Sequence, residues 1–233
     1  GGGIVMVPLM VGILKIGQHK AHGTSLVALV FTGISGAVTY ATKGSIDLIA
    51  SLLIALTAIF TARAGAYYAH TLAEEKLKRS FGGFMIVISL LLLMKPYLPQ
   101  LGQTALGWTK ITVFLATGVV SGFLSGMMGV GGGSIMVPAM VLLAGFTQHT
   151  AQGSSLLAMV PASIVGAFTH WRLGNINVKL IPGLIPGILM GTFLGGSLAH
   201  LFAEGMLRLV FVVMLAWISV RYVCRPSAQK DSF

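Results

Sequence analysis

Long apolar runs without regular alternation dominate the chain. In the hydrocarbon of a bilayer only helices and closed barrels satisfy their own backbone hydrogen bonds, and a spanning helix needs about 20 mostly apolar residues. Because barrel strands alternate between two faces, unalternating runs indicate helices. We assign seven long segments to membrane-spanning helices: 24–42, 46–70, 81–94, 111–128, 154–171, 180–202 and 207–223.

Two shorter apolar pieces, 4–14 and 134–144, differ from these segments in length. Each has only about 11 residues, or roughly 16 Å of helix, which is too short to cross a membrane alone. They are predicted to be half-helices of broken or re-entrant segments.

The composition indicates an all-α polytopic membrane protein. Hydrophobic residues make up 55% of the 233 positions and charged residues only 9%, which a water-facing surface would not tolerate. The net charge of +10 would suggest nucleic acid binding in a soluble protein. Here, however, Lys and Arg lie mostly in short connections between spans, so no nucleic acid partner is predicted. The single cysteine, Cys224, allows no disulfide or cysteine-based metal site within one chain, and no cofactor is predicted.

An internal repeat organises the chain. A shift of 130 residues aligns GGGIVMVPLMV at 1–11 with GGGSIMVPAMV at 131–141. The same shift aligns QHKAHGTSLVAL at 18–29 with QHTAQGSSLLAM at 148–159. Over residues 1–79 about 28 positions are identical, which coincidence of composition does not give. The chain therefore contains two homologous halves.

The repeat divides the chain into a first half, 1–98, a connecting loop, 99–109, a second half, 110–225, and a C-terminal tail, 226–233. The span KITVFLATGVVSGFLSGMMGV precedes the second GGG sequence but has no counterpart before the first. The first residue is also not Met. We therefore expect a fragment whose leading helix is missing; a separate chain that supplies this helix is the alternative, and no signal peptide can be read.

The distribution of Lys and Arg predicts opposite orientations for the two halves, because cytoplasmic connections carry an excess of these residues. In the first half the connections 15–22 and 71–80 are positive, whereas in the second half 145–149 has neither residue and 172–179 and the C-terminus are positive. The chain is therefore predicted to contain two inverted-topology repeats, as in many secondary transporters. Each repeat would have a broken or re-entrant helix pair at a GGG turn plus three spans. The protein is predicted to be a multi-pass protein of the plasma or inner membrane with a cytoplasmic C-terminus.

The two GGG turns are the first candidate for a substrate-binding site. Three adjacent glycines allow positive φ and close backbone approach, and their N–H groups can form a nest for an anion. The half-helix that follows points its positive end at the turn. Inversion predicts that the two turns meet near the bilayer midplane, at one polar cavity. Close helix packing is the alternative, which we prefer for Gly118, Gly122 and Gly126 because they are spaced by four.

The repeated GTSL at 23–26 and GSSL at 153–156 place adjacent hydroxyls at the predicted start of a spanning helix. These hydroxyls could coordinate an oxyanion without a fixed charge. They could equally bond back to the preceding helical turn or join neighbouring helices. Gln-His pairs at 18–19 and 148–149 also recur, and for these capping, gating and substrate contact remain open.

Two ionisable residues lie inside apolar runs. Arg63 interrupts LIALTAIFTARAGAYYAH and is a candidate anion ligand, since an intramembrane Arg usually faces a cavity or a partner; the alternative is snorkelling toward 71–80. His170 is a candidate proton carrier, but we favour a hydrogen-bonded histidine near an interface. The predicted substrate-binding residues are Gly1, Gly2, Gly3, Thr24, Ser25, Arg63, Gly131, Gly132, Gly133, Ser154 and Ser155.

A known family shares these motifs. The GxGGG turn, the short helix with VP, and A-x-G-[ST]-S-L about 20 residues on resemble the sulfite exporter TauE/SafE family of membrane transporters. The resemblance covers both halves, at 131–133, Pro138 and 153–156, and at 1–3, Pro8 and 23–26. It implies transport of small sulfur-containing or carboxylate anions such as sulfite, thiosulfate or sulfoacetate.

Three classes of function are compatible with a polytopic helical membrane protein: a secondary transporter, a passive channel and an intramembrane enzyme. A secondary transporter is favoured by inverted repeats and broken helices, and a passive anion channel is the alternative. An enzyme is not predicted, because no nucleophile–base pair or carboxylate pair recurs at catalytic spacing. The five acidic residues do not favour a cation or metal carrier. The expected partners are a small inorganic or organosulfur anion, the lipid bilayer and protons as a candidate coupling ion; the oligomeric state is unassigned.

Overall fold

A computed structural model describes residues 2–69, 86, 90, 94 and 107–224. The described part is helical, with eight α-helices of defined bounds and a short 3-10 helix at Val178–Leu180. The α-helices are α1 (Gly2–Gly12), α2 (Gln18–Ala41), α3 (Leu48–Tyr68), α4 (Gly107–Met128), α5 (Gly133–Leu143), α6 (Gln148–Arg172), α7 (Ile181–Ala199) and α8 (Glu204–Cys224).

Five helices in the described part are long and apolar enough to cross a membrane: α2, α3, α4, α6, and the 3-10 helix continued by α7. The predicted spans that begin at residues 24, 46, 111, 154 and 180 are thereby confirmed as candidate membrane spans. The segment 207–223 lies in α8. The predicted span 81–94 lies outside the described residues except for positions 86, 90 and 94.

Two helices begin earlier than the apolar pattern predicts. Helix α2 begins at Gln18 and α6 at Gln148, six residues before Thr24 and Ser154. The prediction that the paired hydroxyls lie at the start of a helix is therefore wrong, since they lie about 9 Å along it. The physical reason is burial. A hydropathy pattern leaves a polar residue such as Gln148 out of a predicted span, but Gln148 is fully buried and belongs to the packed part of α6.

Helices α2 and α6 form an antiparallel central pair. Near the N-terminus of α2, Gly23 lies against the carbonyl oxygen of Asn175, which follows α6. Near the N-terminus of α6, Gly153 lies in the same way against the carbonyl oxygen of Ser45, which follows α2. The other helices pack around this pair: α1 and α7 on α2, and α3 and α5 on α6.

Helices α3 and α4 run parallel and pack through small residues. A Cβ at Gly122 would lie 2.5 Å from Cα of Ala58, and Gly118 and Gly126 approach the α3 backbone just as closely. The packing interpretation of these three glycines is thus confirmed. Large side chains of α3 such as Phe60 are exposed instead, as expected for a helix that buries small residues and presents bulky ones to lipid.

Candidate functional site

A glycine turn separates α4 from α5. Gly129 has φ +63° and Gly131 has φ +77°, a region that disfavours residues with a side chain. Gly132 is the N-cap of α5, and its carbonyl oxygen accepts from the backbone N–H of Met136 at 2.9 Å. The GGG sequence at 131–133 therefore reverses the chain and starts an 11-residue helix, whose N-terminal end carries partial positive charge.

The first GGG sequence lies against the chain just before the second. A Cβ at Gly3 would lie 2.5 Å from the carbonyl oxygen of Gly129 and 3.0 Å from Cα of Val130. Only a residue without a side chain allows this approach. Gly2 is the first residue of α1, and the predicted site residue Gly1 lies outside the described residues.

The turn lies between the middles of the two central helices. A Cβ at Gly131 would lie 3.1 Å from Leu29 of α2 and 2.9 Å from the sulfur of Met159 of α6. These two residues are equivalent in the sequence repeat, and both are fully buried. The immediate surroundings of Gly131 are thus apolar and closely packed.

Ser25 connects α2 to the turn. Its hydroxyl lies 2.6 Å from the carbonyl oxygen of Gly129 and 2.7 Å from that of His22. Both oxygens only accept, and a hydroxyl has one hydrogen, so Ser25 donates to one of them at a time. The predicted site residues Gly3 and Ser25 therefore meet at Gly129, two residues before the second GGG sequence.

Thr24 and Ser154 bind loops instead of the turn. The hydroxyl oxygen of Thr24 accepts from the backbone N–H of Asn177 at 2.9 Å and donates to the carbonyl oxygen of Lys20 at 2.6 Å. The hydroxyl oxygen of Ser154 accepts from the backbone N–H of Asp47 at 2.8 Å. For these two residues the structure shows the helix-joining role that the sequence left open.

Sequence reasoning did not single out the buried hydroxyls that surround the turn. Ser125, Ser134 and Ser163 are at most 3% exposed, and their hydroxyls have no hydrogen-bond partner among the described residues. An unsatisfied buried polar group costs about 1–3 kcal/mol, so such a group is a place where a polar ligand or water is favoured.

These serines are close to the turn along their helices. Ser125 lies one helical turn before Gly129, whose N–H donates to the carbonyl oxygen of Ser125 at 2.9 Å. Ser134 follows the GGG sequence directly. Ser163 lies one turn beyond Met159, which contacts Gly131. The positions of Ser125 and Ser134 beside the glycines were a usable sequence signal, whereas Ser163 in its apolar run gave none.

A cavity of about 520 Å³ opens beside the first residue of α5. It is largely apolar, and its polar wall includes the hydrogen bond from the Tyr40 hydroxyl to the Gln152 side-chain oxygen at 2.7 Å. Ser155 also lines it, and its hydroxyl donates to the carbonyl oxygen of Gln152 at 2.8 Å. The wall comes from α2, α5, α6, α7 and α8 and includes Tyr40, Gly133, Gln152, Ser155, Gly191, Thr192 and Gly195.

Aromatic rings lie at the end of α7, next to this cavity. The ring of His200 lies 4.5 Å from the Tyr40 ring and stacks on His149 at 5.0 Å. His149 belongs to the repeated Gln-His pair, so in the second half this pair meets the end of α7. Within residues 2–69 and 107–224, no group of three or more His, Cys, Asp or Glu could hold a metal ion.

The two ionisable residues within spans have different surroundings. Arg63 is exposed on α3, and its guanidinium lies 6.0 Å from the ring centre of Tyr67. The atoms nearest to a Cβ at Gly129, Gly131 or Gly132 do not belong to Arg63. His170 is buried, and its Nε2 lies 3.0 Å from the carbonyl oxygen of Gly126. Because this oxygen only accepts, Nε2 carries a hydrogen, which agrees with the hydrogen-bonded interpretation of His170.

Comparison with known proteins identifies relatives over most of the chain. A family model described as Sulfite exporter TauE/SafE matches residues 1–222. The chain is 31% identical over 209 residues to the probable membrane transporter protein YunE of Bacillus subtilis, covering 78% of this chain and 77% of that protein. It is 27% identical over 235 residues to a probable membrane transporter protein of Xylella fastidiosa strain 9a5c, covering 98% and 89%. No solved structure matches the chain.

Proposed function

The chain belongs to the sulfite exporter TauE/SafE family of membrane transporters, and on this basis we propose that it is a secondary transporter for a small anion. The observation that carries the proposal is the contact of Gly3 with Gly129 and Val130, which brings both glycine segments to one place between the central helices. We propose this place, with the hydroxyls around it, as the substrate site.

Two inverted repeats are the architecture that we propose around this site. The contacts of the halves are reciprocal: Thr24 accepts from the N–H of Asn177, and its repeat equivalent Ser154 accepts from the N–H of Asp47, the equivalent of Asn177. The repeated helices α2 and α6 are antiparallel. These observations support a two-fold relation that inverts one half against the other. We further propose a cytoplasmic C-terminus in the cell membrane, because the C-terminal segment is rich in Lys and Arg.

The groups around the turn favour an anion over a cation. Ser125, Ser134 and Ser163 offer hydroxyl hydrogens, and the N-terminus of α5 at Gly133 offers backbone N–H groups and partial positive charge. Each hydrogen bond to a charged ligand contributes about 1.5–3 kcal/mol, before desolvation of the anion is subtracted. Sulfite, thiosulfate, sulfoacetate and related carboxylates are the substrates that we propose, and each presents several acceptor oxygens.

A test uses the protein reconstituted into liposomes. Uptake of sulfite, thiosulfate, sulfate, a sulfonate and a short carboxylate is measured with and without an imposed proton gradient. The proposal expects saturable uptake of at least one sulfur oxyanion or carboxylate, and a response to the proton gradient if protons are the coupling ion. Flux that grows linearly with concentration would indicate a passive anion channel, and absence of anion flux would contradict the proposal.

A further inference from the structure

One face of α7 is built from glycine at every fourth position. This glycine face consists of Gly183, Gly187, Gly191 and Gly195, all of which are exposed. A Cβ at any of the four would meet no described atom within 4 Å. Small residues spaced by four let two helices approach closely in a membrane, so this face has the form of a helix-packing surface.

The first half shows which helix covers the equivalent face of α3. Shifted by 130 residues, Gly187, Gly191 and Gly195 correspond to Thr57, Thr61 and Gly65 of α3. In α3 this face is covered by α4, and its contacts lie between Leu115 and Met127 of α4. The Thr57 hydroxyl donates to Leu115 at 2.9 Å, Thr61 lies against Gly122, and Gly65 lies against Phe123.

The cavity beside the glycine face also has a counterpart in the first half. Its wall contains the equivalents of residues that touch the C-terminal end of α4 and the turn after it. Gly3 contacts Val130, Ser25 contacts Gly129, and Ala62 contacts Gly126. The equivalents that line the cavity are Gly133, Ser155 and Thr192. The cavity and the glycine face together thus match, in the second half, the surface that α4 covers in the first.

We propose that the glycine face and the adjoining cavity are a docking site for a membrane-spanning helix of the α4 type. Such a helix has about 20 apolar residues with small residues at every fourth position. It would complete, around α7, the packing that α4 provides around α3. A second copy of this chain fits less well as the occupant. The α7 of such a copy packs against the α2 of the same copy, so it cannot enter a cavity walled by α5, α6 and α8.

Cross-linking to a synthetic helix tests the site. The probe is a peptide with the α4 sequence, Gly107–Met128, carrying Phe123→Cys. In the first half the rings of Phe123 and Tyr68 lie 5.7 Å apart, and the equivalent of Tyr68 is Leu198. The full chain therefore carries Leu198→Cys in a Cys224→Ser background, and a short bifunctional maleimide reagent is added in liposomes.

Two matched variants control the experiment. Phe193→Cys places the thiol on the opposite side of α7, at similar exposure: 57% for Phe193 and 54% for Leu198. Gly191→Leu, added to Leu198→Cys, fills the glycine face and is expected to leave the fold intact because open space surrounds Gly191. Thermal unfolding of each variant establishes that it is folded.

The proposal expects several-fold more cross-linked peptide at Leu198→Cys than at Phe193→Cys, and loss of this difference when Gly191→Leu is present. Equal cross-linking at both positions, or none at Leu198→Cys in folded protein, would overturn it. Cross-linking between two protein chains through Leu198→Cys without peptide would assign the face to a second copy and would also overturn it. None of these outcomes depends on transport, so the proposed function is tested separately.

Discussion

The hydroxyl oxygen of Thr24 accepts a hydrogen bond from the backbone N–H of Asn177, 153 positions along the chain, at 2.9 Å. Asn177 precedes the 3-10 helix of the second half, and Thr24 is 1% exposed inside α2 of the first half. The equivalent bond joins Ser154 to Asp47 at 2.8 Å. Each half thus fixes a loop of the other through a hydroxyl that the sequence predicted for substrate binding.

Thr24→Val tests this structural role. Valine keeps the shape of threonine but cannot accept, so the N–H of Asn177 loses its partner, which costs about 1–3 kcal/mol. We expect a lower midpoint of thermal unfolding in detergent. Thr32→Val is the control, because the Thr32 hydroxyl donates only to Ala28 one turn before it, at 3.0 Å. Equal midpoints for the two variants would contradict the structural role.

Gly132→Ala is expected to weaken anion binding while the protein stays folded. A Cβ at Gly132 would lie 2.7 Å from the flexible end of Met136 and 3.0 Å from Cβ of Ser121, so small shifts accommodate it, but these shifts displace the groups that we assign to the anion. Binding measured by anion-dependent thermal shift should fall, with the ligand-free midpoint near that of the parent protein.

Gly122→Ala provides the contrast to Gly132→Ala. Here a Cβ would lie 2.5 Å from Cα of Ala58, a backbone atom that cannot move alone. Overpacking of this kind costs about 1–3 kcal/mol, so the ligand-free midpoint should fall. If Gly132→Ala destabilises as much as Gly122→Ala and the folded fraction binds anion normally, the turn is structural and the site lies elsewhere.

Ser134→Ala separates a binding role from a structural one. The Ser134 hydroxyl is buried and has no partner among the described residues, so its removal should leave the midpoint unchanged or raise it. If the hydroxyl donates to the anion, loss of about 1.5–3 kcal/mol lowers affinity by about 10- to 150-fold. Unchanged affinity measured by isothermal titration would exclude Ser134 from the site.

Arg63→Gln measures the electrostatic contribution that the sequence predicts for Arg63. Because Arg63 is exposed and lies beside Tyr67, we expect a smaller loss of affinity than for Ser134→Ala and no loss of stability. Arg63→Lys keeps the charge and should restore the affinity. Identical affinities for the parent protein, Arg63→Gln and Arg63→Lys would mean that Arg63 does not contribute to anion binding. Its side chain would then be assigned to snorkelling toward the membrane surface.

The proposed inverted orientation of the halves predicts that Gly17 and Thr147 lie on opposite sides of the membrane. They are equivalent in the repeat, are exposed, and directly precede α2 and α6. Single cysteines at these positions in a Cys224→Ser background are treated with an impermeant maleimide in oriented vesicles. We expect one to react from outside and the other only after permeabilisation. Reaction of both from the same side would refute inversion.

The sequence alone determined the class of protein and the position of most helices, because hydropathy reports directly on which segments leave water. The repeat also pointed to the pairing of Gly3 with the second glycine segment, since equivalent segments must be placed by one symmetry. The spacing of Gly118, Gly122 and Gly126 was enough to identify a packing surface, because only glycine permits backbone contact between helices.

The tertiary structure alone decided what each hydroxyl does. Thr24 and Ser25 are adjacent in a motif, yet successive residues of a helix point about 100° apart, so one binds a loop and the other the turn. Ser163 and the cavity depend on contacts between helices that are distant in sequence. Hydropathy carries no information on which hydrogen bonds such contacts satisfy. The sequence places Ser125 and Ser134 beside the glycines, but only the folded chain shows that their hydroxyls are buried without a partner among the described residues.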